Sequence, residues 1–182
     1  YSDDPAAMAL QWEGQGAGRM HVVDLDGAIE GRPINLDALG AICEAIEIPV
    51  DMGGGLRTLD DIETVLSLGV RWVLLGTSAL TSPEVLEEAI DRFGDSVCVS
   101  VDARDGRVAI EGWVETSDIS ALQFAQQVEA MGVEEIVHTD ISRDGMLSGP
   151  NLPALREIAE NTSLRIIAAG GVKSLDEIRA LK

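Results

Sequence analysis

The chain has 182 residues, 46% of them hydrophobic, enough to bury a large core in one domain, and no apolar run approaches the roughly 18 residues of a membrane span. Its formal net charge is −19, from 32 acidic against 13 basic residues, and a field of that sign repels nucleic acid and acidic membrane surfaces, so both are excluded as partners. Only Lys173 and Lys182 are lysines, the other basic residues being arginines. That balance fits either a salt-rich cytoplasm, where screening removes self-repulsion, or an ordinary acidic bacterial enzyme.

The start, Tyr1 to Pro5, has no signal-peptide character and reads as an internal piece of a longer chain. A helix is predicted over 5–15 and a buried strand over 20–25. Apolar residues at 36, 39, 42 and 46 have near-helical spacing, so a helix is predicted over 35–45 with Asn35 as its N-cap. A short strand over 49–52 ends in Gly53-Gly54-Gly55, and Thr58 with Asp61 has the form of a capping box opening a helix to 68. The strand over 72–75 ends at Gly76-Thr77, and Ser82-Pro83 starts the next helix as N-cap and N1.

A strand over 97–101 ends at Asp102, a hairpin is predicted over 107–113, and a helix over 119–131. A strand over 135–139, a helix over 151–160 and a strand over 164–169 ending at Gly170-Gly171 follow, with a second capping box at 174–177. Helices and strands alternate without linkers, which implies parallel strands joined by crossover helices in a single domain over 1–182. Cys43 and Cys98 lack metal-ligand spacing and read as buried free thiols of a reducing, cytoplasmic compartment.

The chain repeats itself at an offset of 116 residues. With Asp24 set on Asp140, Asn35-Leu36 falls on Asn151-Leu152, Gly54-Gly55 on Gly170-Gly171, Arg57-Thr58 on Lys173-Ser174 and Leu59-Asp60 on Leu175-Asp176. A period this long is half a domain rather than a solenoid unit. An open doubly wound sheet does not normally come as two superposable halves; a (β/α)8 TIM barrel does, and needs about 250 residues. The register places the partners of two strands beyond the ends, so the expectation is an incomplete barrel, lacking its first strand and last β/α unit.

Each glycine pair ends a strand and leads into a capped helix, an arrangement in which close backbone approach and the helix start can hold a phosphate. Gly54, Gly55 and Arg57 form the first such candidate, with Gly76 and Thr77 on the neighbouring loop; Gly170 and Gly171 form the second. Asp102, at the end of a strand between them, is either a general acid or base or a residue of a turn-rich segment. Thr139 and Asp144 are the hydroxyl and carboxylate placed to assist, whereas Asp140, matched to Asp24, reads as scaffolding. His21 and His138 lie inside strands without metal partners and read as structural. No metal site and no P-loop is present in the pattern.

His21 to Ala28, Gly53 to Arg57, Asp102 to Val108, Glu111-Gly112-Trp113 and Thr139 to Gly145 closely resemble the phosphoribosylformimino-aminoimidazole carboxamide ribotide isomerase family of histidine biosynthesis, over essentially the whole chain. The resemblance implies an Amadori rearrangement of an aminoaldose to its ketose, without metal or organic cofactor, on a bisphosphorylated ribotide. It implies that Asp102 donates a proton, that Thr139 and Asp144 support it, and that Trp113 stacks on the imidazole. It also implies a proton-accepting aspartate on a first strand outside this chain, and a monomer at full length. Two alternatives stand: the cyclase subunit of imidazole glycerol phosphate synthase, which shares the duplicated half-barrel, and a non-catalytic phosphosugar-binding fragment. Gly112-Trp113 favours the isomerase.

Overall fold

A computed structural model describes residues 3–110 and 112–181; Glu111 of the motif above, Lys182 and the first two residues lie outside that description. Helix α1 (Pro5–Gly14) starts at Asp4, whose carboxylate accepts the Ala7 N–H at 3.0 Å, with proline at the first helical position. Strands β1 (Met20–Val23), β2 (Val50–Gly53) and β3 (Trp72–Leu75) follow, separated by α2 (Leu25–Glu30), α3 (Leu36–Ala45) and α4 (Leu59–Ser67). After β3 come α5 (Thr77–Thr81) and α6 (Pro83–Phe93), then β4 (Val97–Arg104) and a hairpin, β5 (Arg107–Ile110) with β6 (Glu115–Ser120). The chain closes with α7 (Ala121–Ala130), β7 (Glu135–Asp140), α8 (Leu152–Asn161), β8 (Arg165–Ala169) and α9 (Leu175–Ala180).

Six strands pair in parallel in the order β1-β2-β3-β4-β7-β8, and the hairpin hangs antiparallel from the end of β4. Among the described residues β1 pairs with β2 alone and β8 with β7 alone, so the sheet is open. The parallel register sets Asp102 beside Thr139 and Thr139 beside Ala169, which aligns the functional ends of β4, β7 and β8.

The predicted strand over 97–101 runs on to Arg104, because Ala103 and Arg104 pair with β5. The Asp105-Gly106 turn between them has both residues at positive φ, 51° and 76°, the backbone of a tight two-residue hairpin. The predicted helix start at 119 gives way to strand β6, and α7 begins after Ser120, whose hydroxyl accepts the Gln123 N–H while the Gln123 side chain accepts the Ser120 N–H. Two short helices were not foreseen: α2, which takes over at Leu25, the last residue of the expected strand, and α5 after Gly76.

Successive side chains of a strand point to opposite faces. The outward face of the sheet carries Val73, Val99, Val101 and Ile136, which pack with Ile62 and Val65 of α4, Leu86 of α6, Phe124 of α7 and Ile158 of α8 into the main core. On the inward face Leu74, Cys98 and Val137 form a smaller apolar cluster. Below it lies a charged layer. Arg19 donates to Asp51 at 2.5 Å and to Glu135 at 2.7 Å, with its guanidinium 3.9 Å from the Trp72 ring centroid. Burial pushes the Cys98 thiol up to about 12, and its sulfur sits 3.5 Å from Glu135, so it is inert at neutral pH. Cys43, expected to be buried, is only half covered.

Leu86 is fully buried between α6 and the sheet. Leu86→Ala is expected to lower stability by about 2–5 kcal/mol. The urea midpoint should fall with an unchanged slope; an unmoved midpoint would show that this helix does not anchor the core.

Candidate active site

The C-terminal ends of β1 to β4 and β7 surround a cleft of about 440 Å³. Its first wall is the glycine turn after β2, where Gly54 and Gly55 have φ of 106° and 77°. A β-carbon at Gly54 would overlap the Asp24 carbonyl oxygen, and one at Gly55 would lie 2.6 Å from that of Arg32, so both conformation and space demand glycine. Arg57 follows, its guanidinium lying over Gly31 at the end of α2. The capping box of α4 is formed as expected: Thr58 Oγ1 accepts the Asp61 N–H at 3.2 Å, and Asp61 accepts the Thr58 N–H at 2.9 Å. Ser78 donates to the Leu56 carbonyl at 2.8 Å, tying the Gly76-Thr77 loop to the glycine turn.

Asp102 stands on the opposite side, on β4. Its two carboxylate oxygens accept the Ser100 hydroxyl and the Trp113 indole N–H, each at 2.8 Å. Trp113 takes a positive φ of 71°, and Arg104 donates to its carbonyl at 3.1 Å, so the hairpin tip is folded over the cleft onto Asp102. Thr139 borders the same cleft from β7.

Gly54, Gly55, Arg57, Gly76, Thr77, Asp102, Trp113 and Thr139 thus share one space. Three expected residues do not line it. Asp144 is exposed in the loop after β7, where its N–H donates to the Asp140 carbonyl. Gly170 and Gly171 repeat the left-handed turn at the end of β8, with φ of 87° and 80°, outside the cleft lining.

Other residues line the cleft that the sequence did not single out. His21, read as structural, presents its ring to the cleft while Nδ1 meets the buried Asp51 carboxylate. Alternation along the strand could not show this; it is the register of His21 with Asp51 that puts both on the inward face. Leu25, Ala28 and Ile29 of the unforeseen α2 supply an apolar wall, and Ser100 and Ile110 complete the lining near Asp102. His138 faces the opposite way and is buried; burial lowers its pKa against the pull of Asp140 and Asp102, leaving the ring neutral at neutral pH.

Beneath the two glycine turns lie two carboxylates with matching surroundings. Burial opposes ionisation of Asp24, but the N–H groups of Asn35, Ile34 and Gly27 and the Asn35 amide outweigh it and hold its pKa below the ordinary aspartate range. Burial likewise opposes ionisation of Asp140, but Ser142, Asn151 and Arg143 outweigh it and hold its pKa below the ordinary aspartate range.

The Histidine biosynthesis protein family model matches residues 1–182. The chain belongs to this family. It is 49% identical over 182 residues to the 1-(5-phosphoribosyl)-5-((5-phosphoribosylamino)methylideneamino) imidazole-4-carboxamide isomerase of Thermoanaerobacter pseudethanolicus, covering all of this chain and 77% of that protein. It is 50% identical to the proteins of the same name from Syntrophomonas wolfei, over 75% of that protein, and Pelotomaculum thermopropionicum, over 70%. The fold is the (β/α)8 barrel of the family, with the sheet open between β1 and β8.

The two depressed carboxylates set a pH dependence. A folded-state pKa below the unfolded one contributes stability that is fully present at neutral pH and lost as pH falls through the folded value, that is, below about pH 4. The loops after β1 and β7 should therefore loosen first on acidification. Hydrogen exchange at Ile34, Asn35 and Ser142, corrected for intrinsic rates, should lose protection as pH falls below about 4, before the core strands do. Simultaneous loss throughout would contradict this order.

Proposed function

We propose that this chain carries the catalytic cleft of a histidine-biosynthesis isomerase that converts the phosphoribosylformimino-aminoimidazole carboxamide ribotide aminoaldose to its ketose. One observation carries the reading: a single cleft gathers Asp102, Thr139, Trp113 and the glycine turn of Gly54 to Arg57, in a chain about half identical to isomerases of that name.

The reaction is an internal redox isomerisation. A proton is delivered to the ribose ring oxygen and the bond from that oxygen to C1 breaks, giving an iminium. Loss of the C2 proton then yields an enolamine, which takes up a proton at C1 and releases the one on its C2 hydroxyl to give the ketose. Asp102 is the group we assign to the ring oxygen, with Thr139 beside it in register. The Trp113 indole must leave the Asp102 oxygen it now occupies, and is then placed to stack on the imidazole. Asp144 would join only by movement of its exposed loop. The proton acceptor is assigned to a first barrel strand, which would pair at the free edge of β1; further β/α units joining the edges of β1 and β8 would close the barrel and leave no open edge.

The substrate we assign bears two phosphates. Gly54, Gly55, Arg57, Gly76 and Thr77 would take one, in the cleft, and Gly170 and Gly171 the other, at the symmetric turn. We assign the full-length barrel, as a monomer, to the cytoplasm. The net charge of −19 with two lysines suits a salt-rich one. The cyclase alternative is not favoured, because the relatives above carry the isomerase name.

In the full-length protein, Asp102→Asn should lower kcat by about 10²–10⁴ with KM for the ribotide within a few-fold, since a proton carrier is lost and the phosphate turns are untouched. Turnover preserved within a few-fold would return Asp102 to the role of a turn residue.

Proton transfers between side chains and substrate need no divalent ion, so turnover should persist in excess EDTA. Activity lost to the chelator and restored by a divalent ion would overturn the assigned chemistry.

A further inference from the structure

The repeat places in each half an aspartate, an asparagine 11 residues later and a glycine pair, and the chemistry assigned above uses only the glycines. In the first half, Asp24 Oδ1 accepts the Gly27 N–H at 2.8 Å and the Asn35 amide at 2.7 Å; Oδ2 accepts the N–H groups of Ile34 at 2.7 Å and Asn35 at 3.0 Å. In the second half, Asp140 Oδ1 accepts the Ser142 N–H at 3.0 Å and hydroxyl at 2.5 Å; Oδ2 accepts the Asn151 amide at 2.6 Å, with Arg143 Nε 3.4 Å away. Both aspartates are buried, and Asp24 does not line the cleft. Every one of these partners belongs to the loop that follows the aspartate's own strand or to the start of the next helix.

What each clamped loop touches is the glycine turn of the next strand. The Asp24 N–H donates to the Gly53 carbonyl at 2.9 Å, and the Asp24 carbonyl fills the space a Gly54 side chain would need. A β-carbon on Gly170 would lie 2.7 Å from the Asp140 carbonyl, and one on Gly171 would lie 2.5 Å from the Gly149 carbonyl; the Gly149 N–H donates to the Gly171 carbonyl at 2.8 Å. The side chain fixes the loop, and the backbone of that loop forms the bed of the turn. An anion held by backbone N–H groups tolerates little displacement, about 0.5 Å in a working site.

We propose that Asp24 and Asp140 are positioning residues, each acting through its clamped loop to set one glycine turn: Asp24 for the phosphate at Gly54 and Gly55, Asp140 for the phosphate at Gly170 and Gly171. This rests on the assignment of those turns to the two phosphates.

The test is titration of the full-length protein with inorganic phosphate, followed at the backbone amides of both turns by NMR, for wild type, Asp24→Asn and Asp140→Asn. Asparagine keeps the volume but sets an amide NH2 among donors. Asp24→Asn should weaken phosphate at Gly54 and Gly55 about tenfold, the effect of losing roughly one charge-assisted hydrogen bond, and leave Gly170 and Gly171 within twofold. Asp140→Asn should do the reverse, and each variant should raise KM for the ribotide more than it lowers kcat. If either aspartate variant fails to fold, Asn35→Ala and Asn151→Ala remove one donor from each clamp and should show the same site preference, more weakly. A wild type whose glycine amides ignore phosphate overturns the phosphate assignment and this inference with it. A wild type that binds phosphate at both turns, with variants that lose both together or neither, overturns the positioning role alone.

Discussion

The carbonyl oxygen of Asp24 occupies the space that any side chain at Gly54 would require, and much of the cleft follows from that contact. The turn after β2 can approach the loop after β1 only as bare backbone in a left-handed conformation, which is why two glycines stand there. Because the turn is pressed against its neighbour, its N–H groups are aimed by the sheet rather than by side-chain rotamers. Arg57 and the start of α4 are then delivered to the rim in a fixed direction. The same contact recurs between Gly170 and Asp140, so the barrel has made one backbone device twice.

Against this rigid side, the Asp102 side is built of adjustable parts. Asp102 sits on β4, but its two carboxylate partners are a serine two residues earlier and an indole from the hairpin tip. The hairpin is attached to the sheet through the end of β4 and a two-residue turn. A cleft assembled in this way has one wall fixed by backbone packing and another whose side-chain partners can be exchanged.

The sequence carried the skeleton clearly, and the reasons are local. Asp24 with Asp140, and Gly54 with Gly170, stand out because a left-handed backbone and a buried carboxylate tolerate almost no substitutes. Asp102 and Thr139 were legible as polar residues closing apolar strands. His21 was not, since alternation along β1 shows that two faces exist but not which one looks into the barrel; that required its register with Asp51 on β2. Helix α2 escaped because it is only six residues long and carries Gly27, a poor helix former, and it starts where the Asp24 carboxylate accepts the Gly27 N–H. Strand β6, Glu115–Ser120, is polar and has no buried residue, so nothing in its pattern distinguished it from the start of a helix.

The ion pair between Arg19 and Glu135 spans 116 residues, the length of the repeat itself. The two side chains are therefore equivalent positions of the two halves, facing each other near the barrel axis. Two copies of the first half, docked about the same axis, would bring arginine against arginine; two copies of the second would bring glutamate against glutamate. Either would forgo the attraction that Arg19 and Glu135 share. Opposite charge at this symmetric position favours the meeting of one half with the other, a complementarity seated beneath the cleft.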